Sequence, residues 1–366
     1  MLNYYNSNLI NFYYYYILNK KIDRFKVKII KFNNNRKERK MGVQHLNSLI
    51  CSQCETAVEK KHLSAFRGWR VAVDTSIFMY RYKEQGVLLE NMFNLVNLLK
   101  KYEIIPCFVF DGKPPEEKNA VIKARREERE TAEAEFNKLV VTVHDKDKTE
   151  QQKAEVVAKL EVLKQKMTRI TMEDIYYVRD LLDGMGIMWV EAKGEADVLC
   201  ARLCIKKHVD ACISDDMDMF VYGCPIVWRH ISLLQETVFS YNLDNICKCL
   251  EVSKNELREV CVLSGTDYSH GTEKKTNLHL SLKLLRRYKK NEKNDKKFDF
   301  YEWLDHNTNY VENMYSLYSH LSMFDTKYIY LDKKIFGKKG SMNYKKNNNH
   351  KMETALMREN FFFPIE

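Results

Sequence analysis

Residues 104–115 read IIPCFVFDGKPP. An apolar run rich in Ile, Val and Phe meets an aspartate and is then broken by Gly112, Pro114 and Pro115. A run this short and this apolar, bounded by such a break, predicts a buried strand over Ile104–Phe110 with Asp111 at its C-terminal end. Upstream, residues 88–102 (LLENMFNLVNLLKKY) have the apolar spacing of a helix. Before them Arg70–Val73 is a compact β-branched run followed directly by Asp74. Residues 41–49 read as a short helix. Downstream, residues 116–168 are charged and nearly free of Gly and Pro, which predicts long exposed helices. Residues 174–183 read as a helix stopped by Gly184 and Gly186, and Ile187–Val190 as a strand. Glu195–Lys207 reads as a helix, and Asp210–Ser214 as a strand leading into Asp215-Asp216-Met217-Asp218. Ile226–Ile231 is a further strand and 254–264 a helix ending at Gly265-Thr266-Asp267. Strands alternating with helices predict an α/β fold with a mainly parallel central sheet flanked by helices.

The 366 residues are 45% apolar and 30% charged, enough for a folded core. The net charge of +10 is unevenly placed: residues 1–40 carry about +8 and the remaining 326 about +2. A near-neutral body makes the isoelectric point a weak argument for nucleic acid, so local patches carry that case. No apolar run approaches the roughly 18 residues of a membrane span, and none is expected. Residues 8–18 are apolar but too short, with their basic residues after rather than before them. We read 1–40 as a leader, disordered or untranslated, with Met41 as the natural start; mitochondrial targeting by this segment stays open. The ten cysteines include Cys51-x-x-Cys54 and Cys247-x-Cys249, neither with the second pair a zinc site needs. Buried reduced thiols in a reducing compartment are expected.

The acids carry the functional signal. Asp74, Asp111 and Asp216 each fall at the C-terminal end of a predicted strand, where open α/β sheets build their sites. Glu195 and Asp197 begin a helix, Asp218 lies just beyond Asp216, and Asp267 follows a helix end. If the strands are neighbours, seven carboxylates converge on one cleft and need counter-charge to stay ionised. Hard divalent cations such as Mg²⁺ or Mn²⁺ supply it through oxygen ligands. Two such ions about 4 Å apart activate a water and stabilise a leaving phosphodiester oxygen. Taken singly, each aspartate could equally be a helix cap or a surface charge.

At these residues the chain resembles the flap endonuclease/XPG family of structure-specific 5′ nucleases, over roughly residues 41–287. The resemblance rests on Met41-Gly-Val-Gln-His-Leu46, Val71-Ala-Val-Asp74-Thr-Ser76 and Val109-Phe-Asp111-Gly-Lys-Pro-Pro115. It continues through Gly194-Glu195-Ala-Asp197, Ser214-Asp-Asp216-Met-Asp218 and Leu263-Ser-Gly-Thr-Asp267-Tyr268. Asp197 stands where the family usually has Glu. The resemblance implies a PIN-like 5′-nuclease fold with a helical arch and a helical C-terminal DNA-binding part. It also implies two metal ions held by Asp74, Asp111, Glu195, Asp197, Asp216, Asp218 and Asp267. It makes Lys118 and Arg125, expected on one helix face about 10.5 Å apart, the cations that meet the scissile phosphate. Tyr80 is implied to stack on a base near the cut, Gly42 to approach the DNA, and Arg126 and Arg129 to meet a threaded strand. For the lysine, the three arginines and the tyrosine, the bland alternatives are a solvated helix face and a core aromatic.

After Asp267 the chain departs from the family. The usual Gly-Ile-Gly turn that binds K⁺ and duplex phosphate is absent, which leaves K⁺ use in question. Lys274, Lys275, Lys283, Arg286 and Arg287 are the basic residues there that could hold a phosphate backbone. The tail MRENFFFPIE lacks the glutamine of a sliding-clamp peptide, so clamp binding has little support. The organisation expected is a leader (1–40), an N-terminal nuclease region (41–145), an arch or linker (146–170) and an internal nuclease region (171–265). A divergent duplex-binding part (266–292) and a Lys/Asn/Tyr-rich extension (293–366) follow, with 337–351 disordered. The expected activity is hydrolysis at 5′ flaps, gaps or ends of branched DNA by a monomeric enzyme in replication, repair or recombination. The expected location is intracellular, at the nucleus or a viral replication site. The alternatives are a non-catalytic nucleic-acid- or protein-binding relative and an RNA-directed 5′ nuclease.

Overall fold

The computed structural model describes residues 43, 45–143, 150–266, 277–292, 298–311, 313–329, 331 and 347–358. Residues 1–42, Asp267, Lys274, Lys275 and the tail 359–366, which carry several of the expectations above, lie outside them. After helix α1 (Leu46–Gln53) come strand β1 (Val58–His62), β2 (Arg70–Asp74), α2 (Thr75–Glu84), α3 (Leu88–Lys101) and β3 (Ile105–Phe110). Helices α4 (Asn119–Val143) and α5 (Glu150–Met167) pack on each other, and α6 (Met172–Gly184) leads to β4 (Met188–Glu191). Next come α7 (Ala196–Ile205), β5 (Ala211–Ile213), the short α8 (Asp218–Val221), β6 (Ile226–Ser232) and β7 (Thr237–Asn242). Helices α9 (Leu243–Leu250), α10 (Lys254–Ser264), α11 (Leu278–Glu292), α12 (Phe300–Asn307), α13 (Met314–Met323) and α14 (Asn349–Met357) complete the described chain.

The seven strands form one sheet in the order β1-β7-β6-β5-β2-β3-β4. The five strands from β6 to β4 pair in parallel, while β7 and β1 add antiparallel pairs at one edge. Parallel strands covered on both faces read as unbroken apolar runs rather than alternations, which is why β2 and β3 were legible. Val71 and Val73 pack with Phe108, Phe110 and Trp228 on one face, and Ala72 packs with Cys107, Val109, Cys212 and Val227 on the other. The chain runs from β2 outward through β3 and β4, then returns to the other side of β2 as β5. The strand order therefore reverses between β2 and β5, the crevice where such sheets place their ligands.

Strands β1 and β7 were not expected. Four of the five residues of β1 are exposed, so it shows no apolar pattern, and its lysines suit an edge that must not recruit another strand. Gly184, read as a helix stop, is the last residue of α6, and α14 packs across it: a Cβ there would come within 2.6 Å of the Met352 nitrogen. Asn348 N–H donates to the Gly184 carbonyl at 2.7 Å, and Lys351 pairs with Asp180 at 3.0 Å and Asp183 at 3.1 Å. Residues 349–351, read as disordered from composition, thus begin a docked helix whose Ala355 and Leu356 are buried; 337–346 lie outside the described residues. Gly184→Ala should lower stability by about 1–3 kcal/mol through overpacking, read from urea unfolding. In a chain ending at residue 346 the same substitution should be close to neutral; an equal loss in both chains would show that the contact with α14 is not its cause.

Candidate active site

The Asp74 carboxylate lies 3% exposed at the end of β2. Ser214 Oγ, at the end of β5, donates to Asp74 Oδ2 at 3.0 Å and accepts from the Asp216 N–H at 3.1 Å. Asp216 Oδ1 in turn accepts from the Asp218 N–H at 2.9 Å, and Asp218 Oδ1 from the Val43 N–H at 2.9 Å. On the other side, Asp111 follows β3. Its Oδ1 accepts from the Ala196 N–H at 2.8 Å and its Oδ2 from Ser76 Oγ at 2.5 Å. Ala196 opens α7, so the helix N-terminus directs its N–H groups and positive dipole end at Asp111. Asp197, in that first turn, hydrogen-bonds to Asp74. Glu195 stands at the N-cap position of the same helix, and its side chain forms an ion pair with Lys118.

Hydrogen bonds therefore link Asp74, Asp197, Asp216 and Asp218, and Asp111 is bonded to the backbone N–H of Ala196, beside Glu195 and Asp197. Asp74 and Asp218, each 3% exposed, are buried, and Asp218 holds the Val43 backbone. Asp267 and Gly42 lie outside the described residues. The loops carrying Asp111 and Glu195 touch through their backbones: Gly112 N–H donates to the Gly194 carbonyl at 2.7 Å. A Cβ at Gly112 would fall 2.0 Å from the Ala192 oxygen, so only glycine lets these loops approach.

Crowding is visible in the acid strengths. Burial, then the charges of Asp111 and Asp216, raise Asp74 from the ordinary 3.8 to about 7, against hydrogen bonds from Asp197 and Ser214. Burial and the charges of Asp74, Asp216 and Asp111 push Asp197 well up as well. Between them the two hold a proton where cationic charge is lacking. All-oxygen donors short of positive charge fit a hard divalent cation.

Lys118 and Arg125 do not share one α-helix as expected. Pro115 ends an extended stretch, and Lys118 sits in a 3₁₀ turn (Glu116–Lys118) before α4 begins at Asn119. Pre-proline residues resist helical geometry and proline donates no N–H, which delays the helix. Lys118 turns into the cleft, while Arg125 is exposed on α4. Arg126 pairs along the solvent face with Glu130 at 2.8 Å, Arg129 is half-buried on α4, and Tyr80 is half-buried on α2. The expectation that α4 meets a threaded strand rests on the family likeness.

Ser76 and Ser214 were not singled out from sequence: Ser214 lies two residues from Asp216, whose N–H donates to it, but the acid that Ser76 holds, Asp111, is 35 positions away. Nor was the group around Asp215. There Arg81 pairs with the Asp215 carboxylate, His230 N–H donates to Oδ1 at 2.7 Å, and the buried Arg229 donates to the Asp215 carbonyl at 2.9 Å. Burial opposes ionisation of Asp215, but the charges of Arg81, His230 and Arg229 hold it at about 2.

With the geometry in view, the XPG N-terminal domain matches residues 41–132 and the XPG I-region residues 186–267. Flap endonuclease 1 of Enterocytozoon bieneusi is 30% identical over 266 residues, covering 68% of this chain and 71% of that protein. The Zea mays protein of that name is 30% identical over 267 residues, covering 68% and 67%. The Naegleria gruberi protein is 28% identical over 247 residues, 63% of this chain and 61% of that protein. The chain belongs to the flap endonuclease/XPG family of structure-specific nucleases. The catalytic core of Rad2 in complex with a DNA substrate has a TM-score of 0.59 at 19% identity, covering 87% of this chain and 94% of that one. Flap endonuclease-1 from Methanococcus jannaschii has a TM-score of 0.53 at 20% identity, covering 87% and 93%. These share the PIN-like 5′-nuclease fold.

Because Asp74 titrates higher in the fold than the ordinary 3.8 of the unfolded chain, the metal-free fold should lose stability as pH rises from about 4 to about 7. Asp197→Asn, which keeps a donor beside Asp74 and removes one ionisation, should melt higher than wild type at pH 8 in EDTA and match it at pH 4. An equal advantage at both pH values would contradict the assignment.

Proposed function

We propose that the chain is a divalent-metal-dependent 5′ nuclease that hydrolyses phosphodiester bonds at flaps, gaps or ends of branched duplex DNA, in replication, repair or recombination. The observation that carries this reading is the joined carboxylate cluster at the β2/β5 crevice. Asp74, Asp111, Glu195, Asp197, Asp216 and Asp218 would hold two Mg²⁺ or Mn²⁺ ions. Ions bound there supply a water of lowered pKa and positive charge for the leaving oxygen.

The protein's own groups orient and neutralise. Ser76, Ser214 and the α7 N-terminus fix the carboxylates before any ligand arrives, so little reorganisation is left to the reaction. Lys118, ion-paired to Glu195, would bring its positive charge to a phosphate oxygen entering the same cleft. Arg125, seven residues on, faces solvent where a strand passing α4 would run. Tyr80 offers a ring for a base beside the cut. On the duplex side, Lys283, Arg286, Arg287 and Lys290 of α11 line a groove with Asn307 to Tyr310. Such a row of cations holds a phosphate backbone without base readout. Of the partners implied by sequence, branched DNA finds support here. Among the described residues no helix is long and apolar enough to cross a membrane.

Cleavage of a 5′-flap duplex should require Mg²⁺ and stop in EDTA. Asp216→Ala should lose activity by a factor of at least about 10³, and Lys118→Ala by about 10²–10³ through lost charge stabilisation. A flap-cutting Asp216→Ala variant, or a folded wild type that cuts neither DNA nor RNA, would refute the reading; RNA cutting alone would favour the RNA-directed alternative. Lys283→Ala with Arg286→Ala should weaken duplex binding and reduce the magnitude of the log–log salt slope by about 2 if both meet phosphates. An unchanged slope would remove that groove from the interface.

A further inference from the structure

Eight of the ten cysteines are buried, and three of them converge. The sulfurs of Cys204, Cys212 and Cys224 all lie within 4.8 Å of one another, at 3%, 0% and 0% exposure. They come from three elements: Cys204 from the last turn of α7, Cys212 from the middle of β5, and Cys224 from the link between α8 and β6. Three thiolates around a zinc-class ion, with metal–sulfur bonds near 2.3 Å, place their sulfurs about 4 Å apart. The trio needs only small rotamer changes to reach that spacing. Soft, water-free sulfur donors select thiophilic d¹⁰ cations over the hard ions that carboxylates take.

The position of the trio gives it a consequence. Helix α7 carries Asp197 in its first turn and Cys204 in its last, about 10 Å apart along the axis. Strand β5 carries Cys212 and delivers Asp216 four residues later. Cys200 lies between the two groups on α7, 0% exposed, and its carbonyl accepts from Cys212 Sγ at 3.0 Å. As thiols, Cys204 and Cys224 donate to the Asp210 carbonyl at 3.6 Å and the Ile226 carbonyl at 3.5 Å.

We propose that Cys204, Cys212 and Cys224 form a second, buried metal site for a thiophilic d¹⁰ cation such as Zn²⁺, clamping α7 to β5 behind the carboxylates those elements present. Binding breaks three S–H bonds and forms three metal–sulfur bonds. Three protons leave to solvent and no atom changes oxidation state. Burial means the ion loads while the chain folds or opens locally, as structural metal sites do. Binding at this site does not depend on the chain being a nuclease.

Cd²⁺ is the probe, because cadmium thiolates absorb in the ultraviolet. Cys51 and Cys249, the exposed thiols, are first replaced (Cys51→Ser, Cys249→Ser) to remove competing sites. This variant, refolded with reductant and Cd²⁺, should retain one ion per chain after desalting. It should show the thiolate band, release three protons per ion (four if Cys200 joins) and melt several degrees higher than the Cd²⁺-free protein. Zn²⁺ should displace the band. Adding Cys212→Ala should abolish retention while leaving the circular dichroism of the Cd²⁺-free fold unchanged. No retained ion, a release of two protons or fewer, or an ion retained by a folded Cys212→Ala variant would each overturn the proposal. The proton count decides it even if the alanine variant fails to fold.

Discussion

Carboxylates at the ends of β2, β3 and β5 and at the start of α7 stand close enough to raise one another's pKa, and the rest of the site is arranged around that repulsion. Neutral donors take up part of it: two serine hydroxyls and the N–H groups of Ala196, Asp216 and Asp218 each hold a carboxylate or its immediate support. Lys118 supplies positive charge at the rim through Glu195. The balance is left short, and Asp74 and Asp197 show it by holding protons that isolated aspartates would release near neutrality. A pocket kept negative in this way suits a metal cation but gives nothing back to the stability of the metal-free fold.

Two adjacent residues divide the work. Asp215 and Asp216 follow β5 in succession, so their side chains diverge. Asp215 turns to Arg81, Arg229 and His230, where it stays ionised as a structural anchor at about 2. Arg229 also reaches Asn47 of α1 at 2.6 Å, so this anchor ties the post-β5 loop to the N-terminal helix. Asp216 turns to Ser214 and the cleft. Anchoring one acid with cations is what allows its neighbour to stay among other acids without the loop swinging away.

The central strands and the acids could be read directly because burial on both faces leaves an apolar run, and the run ends at a lone aspartate. The supports could not be read this way. Ser76 and Asp111 are 35 positions apart, Ser214 and Asp74 are 140, and Arg81 and Asp215 are 134, so only the folded order of strands makes them neighbours. Strand β1 escaped for a different reason: VEKKH, mostly exposed at an edge, has no hydrophobic period to detect. Helix α14 escaped because its setting in Lys/Asn-rich text hides the few residues that dock it. Composition reports an average, whereas docking depends on Ala355, Leu356 and Lys351 meeting a glycine on α6. Lys118 was placed on the wrong kind of turn because two prolines postpone the helix that its spacing implied.

The resemblance by motif treated Asp111 and Glu195 as independent positions, but their loops are braced backbone to backbone through Gly112 and Gly194. The side chain of Asp111 then holds the N–H of Ala196, next to Glu195. A displacement of either loop therefore moves both acids and the start of α7, and with it Asp197. The opposite end of α7 meets β5 at the cysteine trio, so the helix is held at its N-terminus by carboxylates and at its C-terminus by sulfur. Its position sets how Glu195 and Asp197 meet the carboxylates of β2, β3 and β5, whose own spacing the paired strands fix.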